Sequence, residues 1–314
     1  PVHGTIGLTR PELQVVDSPS FQRLRGVKQL GLAHLVFPGA DYSRFAHSIG
    51  VCHVTGMILD ALRVRGEKID DRELQMYRLA GLLHDVGHYP FSHATEYAIE
   101  NYFSKRLFHP ELDLGSSADM GHAAPRYFGH ERLAREIIES DGVINAALHD
   151  ASIEPSEVTA VILREKPPRF ANLVSSDLDA DRVDYLMRTA HHTGLPYGKI
   201  DLAYLLSQIA VDDENRLCFD MRALQTVEHL LIARYFDYQR TNFHKTVAGL
   251  EWLLKDLIGD LLDARIIDVT PTAISRQIRD GTWVTFDDAY VQGSLRRLLD
   301  STSDQNQRRK LLAV

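Results

Sequence analysis

Apolar residues along this chain recur at intervals of three and four far more often than they alternate, which is the spacing of helices with one face in a core. The pattern predicts helices over residues 19–32, 44–65, 70–86, 92–103, 130–140, 143–149, 154–163, 175–190, 199–208, 221–262, 271–280 and 286–300. Only Val2–Leu8 and Arg216–Phe219 suit short strands. The second follows the acidic turn Asp212-Asp213-Glu214-Asn215, so a small hairpin is expected near 209–220. Asp17-Ser18-Pro19 is a helix-start signal, a capping side chain with proline in the first turn. Residues 104–129 mix Pro, Gly and Ser with scattered charges and read as a long loop. The polar run from Ser301 is expected to fray. The fold class expected is mainly α, with a core over 1–262 and a helical extension over 263–314 packed on it.

Composition narrows the class. The 314 residues are 44% apolar and 25% charged, as in ordinary globular chains. No apolar run approaches the ~20 residues of a membrane helix, so no membrane partner is expected. No signal peptide stands out, and the start at Pro1 looks trimmed. Cys52 and Cys218 make no disulfide framework, which points to a reducing, cytoplasmic setting. The net charge of -8 weighs against broad electrostatic binding of nucleic acid, although a local group of Arg and Lys can still hold a small anion.

The chemistry concentrates in Leu82-Leu83-His84-Asp85-Val86-Gly87-His88-Tyr89-Pro90-Phe91-Ser92-His93, three histidines and a carboxylate in twelve residues. The apolar run before it reads as a buried helix ending near Gly87. On that helix His84 and His88 share a face. An adjacent His-Asp pair at a buried helix end offers nitrogen and oxygen to one divalent metal. Partners are available elsewhere. His47 shares helical spacing with Val51 and Val54, although a satisfied core histidine has the same signature. In 177–188, Val183, Leu186, Met187 and Ala190 form an apolar stripe, with Asp181, Asp184, Tyr185 and Arg188 on the opposite face. That face also suits plain solvation, but Asp181 there can serve as a fourth ligand. His47, His84, Asp85 and Asp181 together suit one divalent transition metal (Fe, Mn, Zn, Co or Ni) rather than Ca.

With these motifs, the chain resembles the HD-domain phosphohydrolases. The closer likeness is to the dNTP triphosphohydrolase branch, which includes a vertebrate SAM-and-HD-domain enzyme and bacterial dGTPase-like proteins. The pattern His … His-Asp … Asp carries the resemblance. So do Phe21-Gln22-Arg23-Leu24-Arg25, Lys28-Gln29-Leu30-Gly31, Phe37-Pro38-Gly39-Ala40, Arg44-Phe45-Ala46-His47-Ser48, His130-Glu131, residues 177–192 and Phe243-His244-Lys245. It covers roughly residues 1–260 and implies a helical bundle that cleaves dNTPs to deoxynucleoside and triphosphate. It implies His47, His84, Asp85 and Asp181 as metal ligands, with Mg accompanying the triphosphate. His93 becomes the general acid and His88 a neighbour of the α-phosphate, with His130 and Glu131 completing the histidine cluster. Arg44, Arg182 and Arg234 become phosphate contacts, Gln29 and Leu30 sugar-edge contacts, and Tyr185 the ring against the deoxyribose. A homo-oligomer and a nucleotide activator belong to the same implication. Asp17, Gln22 and Arg25 match activator residues of the vertebrate enzyme, and they also suit a plain brace for the first helix. Three departures bear on the sugar: Thr189 stands where that enzyme has an aspartate for the 3′ hydroxyl, Asn242 where it has a tyrosine, and Phe243 where it has a glutamine. They leave open a phosphohydrolase for another nucleotide: a monophosphate, a cyclic or dinucleotide, or an alarmone. A nucleic-acid binder or nuclease is the rival of another class.

Overall fold

The computed structural model describes residues 2–108, 127–165, 169–170, 172–174 and 178–313. Helix α1 (Arg10–Asp17) opens with a reciprocal cap: Thr9 Oγ1 accepts from Glu12 N–H and Glu12 accepts from Thr9 N–H. Glu12 is buried beneath Arg78, whose Nε donates to it at 2.6 Å. Residues 2–8, expected as a strand, form no strand; they lead into this helix. The helix expected over 19–32 is shorter. It consists of α2 (Pro19–Gln22) and a 3₁₀ turn over Arg23–Gly26, and then the chain extends to a lone bridge between Lys28 and Ser43. A Cβ at Gly26 would sit 2.2 Å from Asp287 Oδ2, so the turn fits against the C-terminal part of the chain only with glycine there.

Helix α3 (Arg44–Val64) is the central element, packed on α4 (Asp71–Leu83) and, further along the chain, on α9. It is the one helix among the described residues long and apolar enough to cross a membrane, with a mean hydropathy of 1.3, which corrects the expectation of none. Two thirds of that window, 67%, is buried inside the protein, as befits a core helix. Helix α5 (His93–Phe108) follows a tight turn; most of the loop expected over 104–129 lies outside the described residues. Next come α6 (His130–Ser140), α7 (Gly142–Asp150), α8 (Pro155–Leu163), α9 (Ala180–Thr193) and α10 (Leu202–Ser207). The start of the helix expected over 175–190 falls partly outside the described residues. The hairpin is present as β1 (Ile209–Val211) antiparallel to β2 (Leu217–Phe219).

The long helix expected over 221–262 is two helices, α11 (Leu224–Asp237) and α12 (Lys245–Asp263), separated by a π turn over Tyr238–Asn242. No Gly or Pro marks the break. The wider turn buries Thr241 and sends Tyr238 and Asn242 toward the cleft described below. Helices α13 (Pro271–Asp280) and α14 (Asp288–Ser301) complete the bundle, and the tail expected to fray forms α15 (Gln305–Leu311). The C-terminal part is tied inward by Arg23. Its guanidinium stacks 4.1 Å over Trp283, and it donates to the carbonyls of Phe286 (2.8 Å) and His88 (2.7 Å).

Candidate active site

Helix α4 stops at Leu83, so His84 is its cap and His88 lies beyond it in the turn; the two do not share a helical face as expected. That turn runs through Phe91 and Ser92, both at positive φ (54° and 58°), a backbone strain that non-glycine residues bear mainly at functional sites. Ser92 holds the turn in place by accepting from Arg44 Nε (2.7 Å) and donating to the Lys28 carbonyl (2.8 Å). Gly87 lets α6 close on it: a Cβ there would lie 2.1 Å from the His130 carbonyl oxygen and 2.4 Å from Ala134 N. The result is that His130 stacks on His88, ring centroids 4.1 Å apart.

Two groups of side chains line one cleft. In the first, His47 Nδ1 donates to Asp184 Oδ2 (2.7 Å) and His84 Nδ1 donates to the Gly81 carbonyl (2.8 Å). In the neutral rings each Nε2 therefore carries a lone pair. His47 Nε2 stands 2.9 Å from Asp181 Oδ1 and 3.7 Å from Asp85 Oδ2, and His84 Nε2 stands 3.3 Å from Asp85 Oδ1 and 4.0 Å from Asp181 Oδ1. Neither Nε2 makes a hydrogen bond. Two ring lone pairs converging on two carboxylates repel one another unless a cation lies between them. Burial disfavours a charged His47 ring, but Asp181 and Asp184 outweigh it and push the pKa up to about 9, a measure of how strongly this pocket attracts positive charge. His47, His84 and Asp85 bring their donor atoms together as a metal site does, and Asp181, 2.9 Å from His47 Nε2, adds a second carboxylate, a set that suits a divalent transition metal. At Asp85 burial works against the anion, but Arg44 at 2.5 Å with His84 and His88 outweighs it and holds the carboxyl well below its usual range.

The second group is His88, His93, His130 and Glu96. Glu96 accepts from the backbone and Nδ1 of His130 (both 2.9 Å) and lies 3.4 Å from His93 Nδ1. Burial opposes its charge, but His130 and His93 pull its pKa far down. His130 is raised, Glu96 overcoming the effect of burial. His88 is pushed well below its usual value by burial, then by Arg44 and His130, so this ring is neutral at neutral pH. His93 is the exposed member, its side chain 54% accessible.

The cleft, about 260 Å³, is lined by Gln29, Leu30, Arg44, His84, Asp85, His88, His93, His130, Glu131, Asp181, Arg182, Tyr185, Arg234 and Asn242, all singled out from the sequence. His47 sits fully buried behind its floor. Thr189 is not on the lining: it is buried, 2.9 Å from the hydroxyl of Tyr42, and it is Tyr42 that lines the cleft. Glu131 is exposed at the rim, and the carboxylate that joins the histidines is Glu96. Gln22 and Arg25 brace each other at 2.7 Å on the first helices.

Sequence reading missed three carboxylates here. Glu96 follows His93 by three, a spacing that brings helical side chains together. Asp184 was read on the polar face of α9, yet it is wholly buried, accepting from His47, His3 (2.6 Å) and Arg188 (2.8 and 2.9 Å). A Cβ at Gly50 would sit 1.9 Å from Asp184 Oδ1, so this glycine of α3 admits the pair. Asp237 carried no signal, lying mid-pattern in a run expected to be one helix.

The HD-domain family matches residues 44–152. Over 99% of its length the chain superposes on a hypothetical protein from Aquifex aeolicus, TM-score 0.73 at 31% identity, covering 72% of that chain. A phosphohydrolase from Bacteroides thetaiotaomicron gives TM-score 0.75 at 26% identity, covering 99% of this chain and 75% of the other. Deoxynucleoside triphosphate triphosphohydrolase SAMHD1 of Xenopus laevis is 31% identical over 250 residues, 76% of this chain and 35% of that protein. This chain belongs to the HD-domain phosphohydrolases. It spans about half the length of curated relatives that it matches.

Proposed function

We propose that the chain hydrolyses deoxynucleoside triphosphates to deoxynucleoside and triphosphate, by water attack at the α-phosphorus. The observation that carries this reading is the side-by-side arrangement of a metal-type donor group (His47, His84 and Asp85, with Asp181 2.9 Å from His47) and a carboxylate-braced histidine group at one cleft with Arg44 and Arg182. A bound divalent metal would supply polarisation of a phosphate oxygen and acidification of water. Arg44 and Arg182 offer forked donors to phosphate oxygens. His93, exposed and held by Glu96, is the side chain suited to protonate the leaving 5′ oxygen. Neutral His88, its Nε2 3.1 Å from Asp85 Oδ1, links the histidine group to the metal-type carboxylate without adding charge. The likeness to SAMHD1 supports the triphosphate substrate.

The test is a product assay with metal-loaded protein and each dNTP and NTP. Deoxynucleoside with intact triphosphate is the expected pair. Pyrophosphate, or no turnover with metal present by elemental analysis, would overturn the reading. The burial of Thr189 behind Tyr42 favours one alternative, a phosphohydrolase for another nucleotide, because the sugar wall then lacks the carboxylate the resemblance places at that position.

A further inference from the structure

Asp237, the last residue of α11, lies in the wall of the same cleft with only 8% of its surface exposed. Behind it Leu186, Ala190, Leu195, Gly198 and Ala233 line a small, mostly apolar hollow in which Tyr197 carries the one polar side chain besides Asp237. The phenols of Tyr42 and Tyr185 are near enough to feel its charge, and the Thr241 hydroxyl is the one neighbour that favours its ionised form. Among the described residues no ion pair joins it to a Lys, Arg or His. A buried carboxylate in such a setting is expensive to keep, and it is satisfied when a hydrogen-bond donor arrives with a ligand.

The layout of the cleft says which part of a ligand that is. Arg44, paired with Asp85, and Arg182, next to Asp181, put phosphate donors beside the metal-type set, and Arg234 lines the cleft one turn before Asp237. A wall carboxyl repels a phosphate chain whenever it ionises, so Asp237 suits a neutral, hydroxyl-bearing portion of the molecule. Tyr185, on the same lining, feels the charge of both Asp181 and Asp237, so its phenol is a neighbour shared by the metal-type set and by Asp237. In a nucleotide, the neutral group next to the α-phosphate is the sugar, and its donors are hydroxyls.

We propose that Asp237 is a sugar-recognition residue, its carboxylate accepting a hydrogen bond from a ring hydroxyl of a nucleotide whose phosphates lie at the His47–Asp181 end of the cleft. This rests on the nucleotide reading given above and adds the residue that selects the sugar. Asn242, on the same lining, offers an amide beside it.

The experiment compares ATP, 2′-deoxy-ATP, 3′-deoxy-ATP and 2′,3′-dideoxy-ATP on metal-loaded wild type, Asp237→Ala and Asp237→Asn, reading kcat and KM separately. Wild type should lose about 10–100-fold in kcat/KM, mainly through KM, when the hydroxyl read by Asp237 is removed. Asp237→Ala should lose less than about threefold for the same removal. Asp237→Asn keeps the side-chain volume and serves if the alanine variant does not fold. Unchanged discrimination among the four nucleotides in the variants overturns the proposal. If wild type turns over none of them, hydrolysis of triphosphates falls, and the same four are ranked by equilibrium binding. A hydroxyl preference in wild type that vanishes in Asp237→Asn then supports the sugar contact, and equal binding by all proteins overturns it.

Discussion

Nδ1 of His47 lies 2.7 Å from Oδ2 of Asp184, and this contact turns the other ring nitrogen toward Asp85 and Asp181. Partners of this kind set both the tautomer and the direction of a ligating imidazole. Asp184→Asn keeps the shape and removes the charge. Metal affinity, measured by competition with a chelator, is expected to fall about 10–100-fold. Unchanged affinity would show that packing alone orients His47.

Asp181 reaches the donor set from α9 and is one of its two carboxylates. Asp181→Ala is expected to lose metal and activity together while circular dichroism stays that of a helical protein. An active, metal-loaded variant would remove this residue from the site.

His93→Ala should keep the metal and slow turnover by about 10²–10⁴, the usual size of a proton-transfer contribution. Glu96→Gln is expected to slow it less. If Glu96 acts through His93, the double variant is no slower than His93→Ala. Rates that multiply would show that Glu96 works through His130 instead.

Gly87→Ala places a methyl group against the His130 carbonyl and Ala134 N. Backbone on both sides cannot rotate away, so α6 must move. A loss of about 1–3 kcal/mol is expected, together with a fall in activity as His130 leaves its place on His88. Thermal unfolding and turnover, measured on the same sample, check both halves.

Asp237 gives a pH signature of stability. Burial raises its pKa to about 7, with the Thr241 hydroxyl only partly offsetting this. The folded state therefore holds a proton that the unfolded chain releases near its ordinary value of ~4. Between those two values stability falls as pH rises. Asp237→Asn should flatten that slope and raise stability at pH 8, on the order of 1–4 kcal/mol. Parallel denaturant curves at pH 5 and pH 8 measure it, and an unchanged slope would show the carboxylate solvated.

The helical class and most of the cleft lining were legible because they rest on local spacing and on the density of histidines. What escaped depends on partners distant in sequence. Asp184 has the pattern of a solvated residue on α9, and only the approach of α3 at Gly50 and of His3 buries it. The break after Asp237 contains no helix breaker; packing around Thr241 selects the π turn. The α1 cap was a readable signal, since Thr9-Arg10-Pro11-Glu12 has the spacing of a capping box, but the short apolar run before it suggested a strand.

The Arg23 guanidinium joins the carbonyl of His88 to that of Phe286 while resting on Trp283. The turn bearing the histidines is thereby suspended between the first helices and the last ones. A lineage of such proteins is not free to trade its C-terminal helices as an independent accessory, because altering them shifts a backbone atom one residue-length from the chemistry.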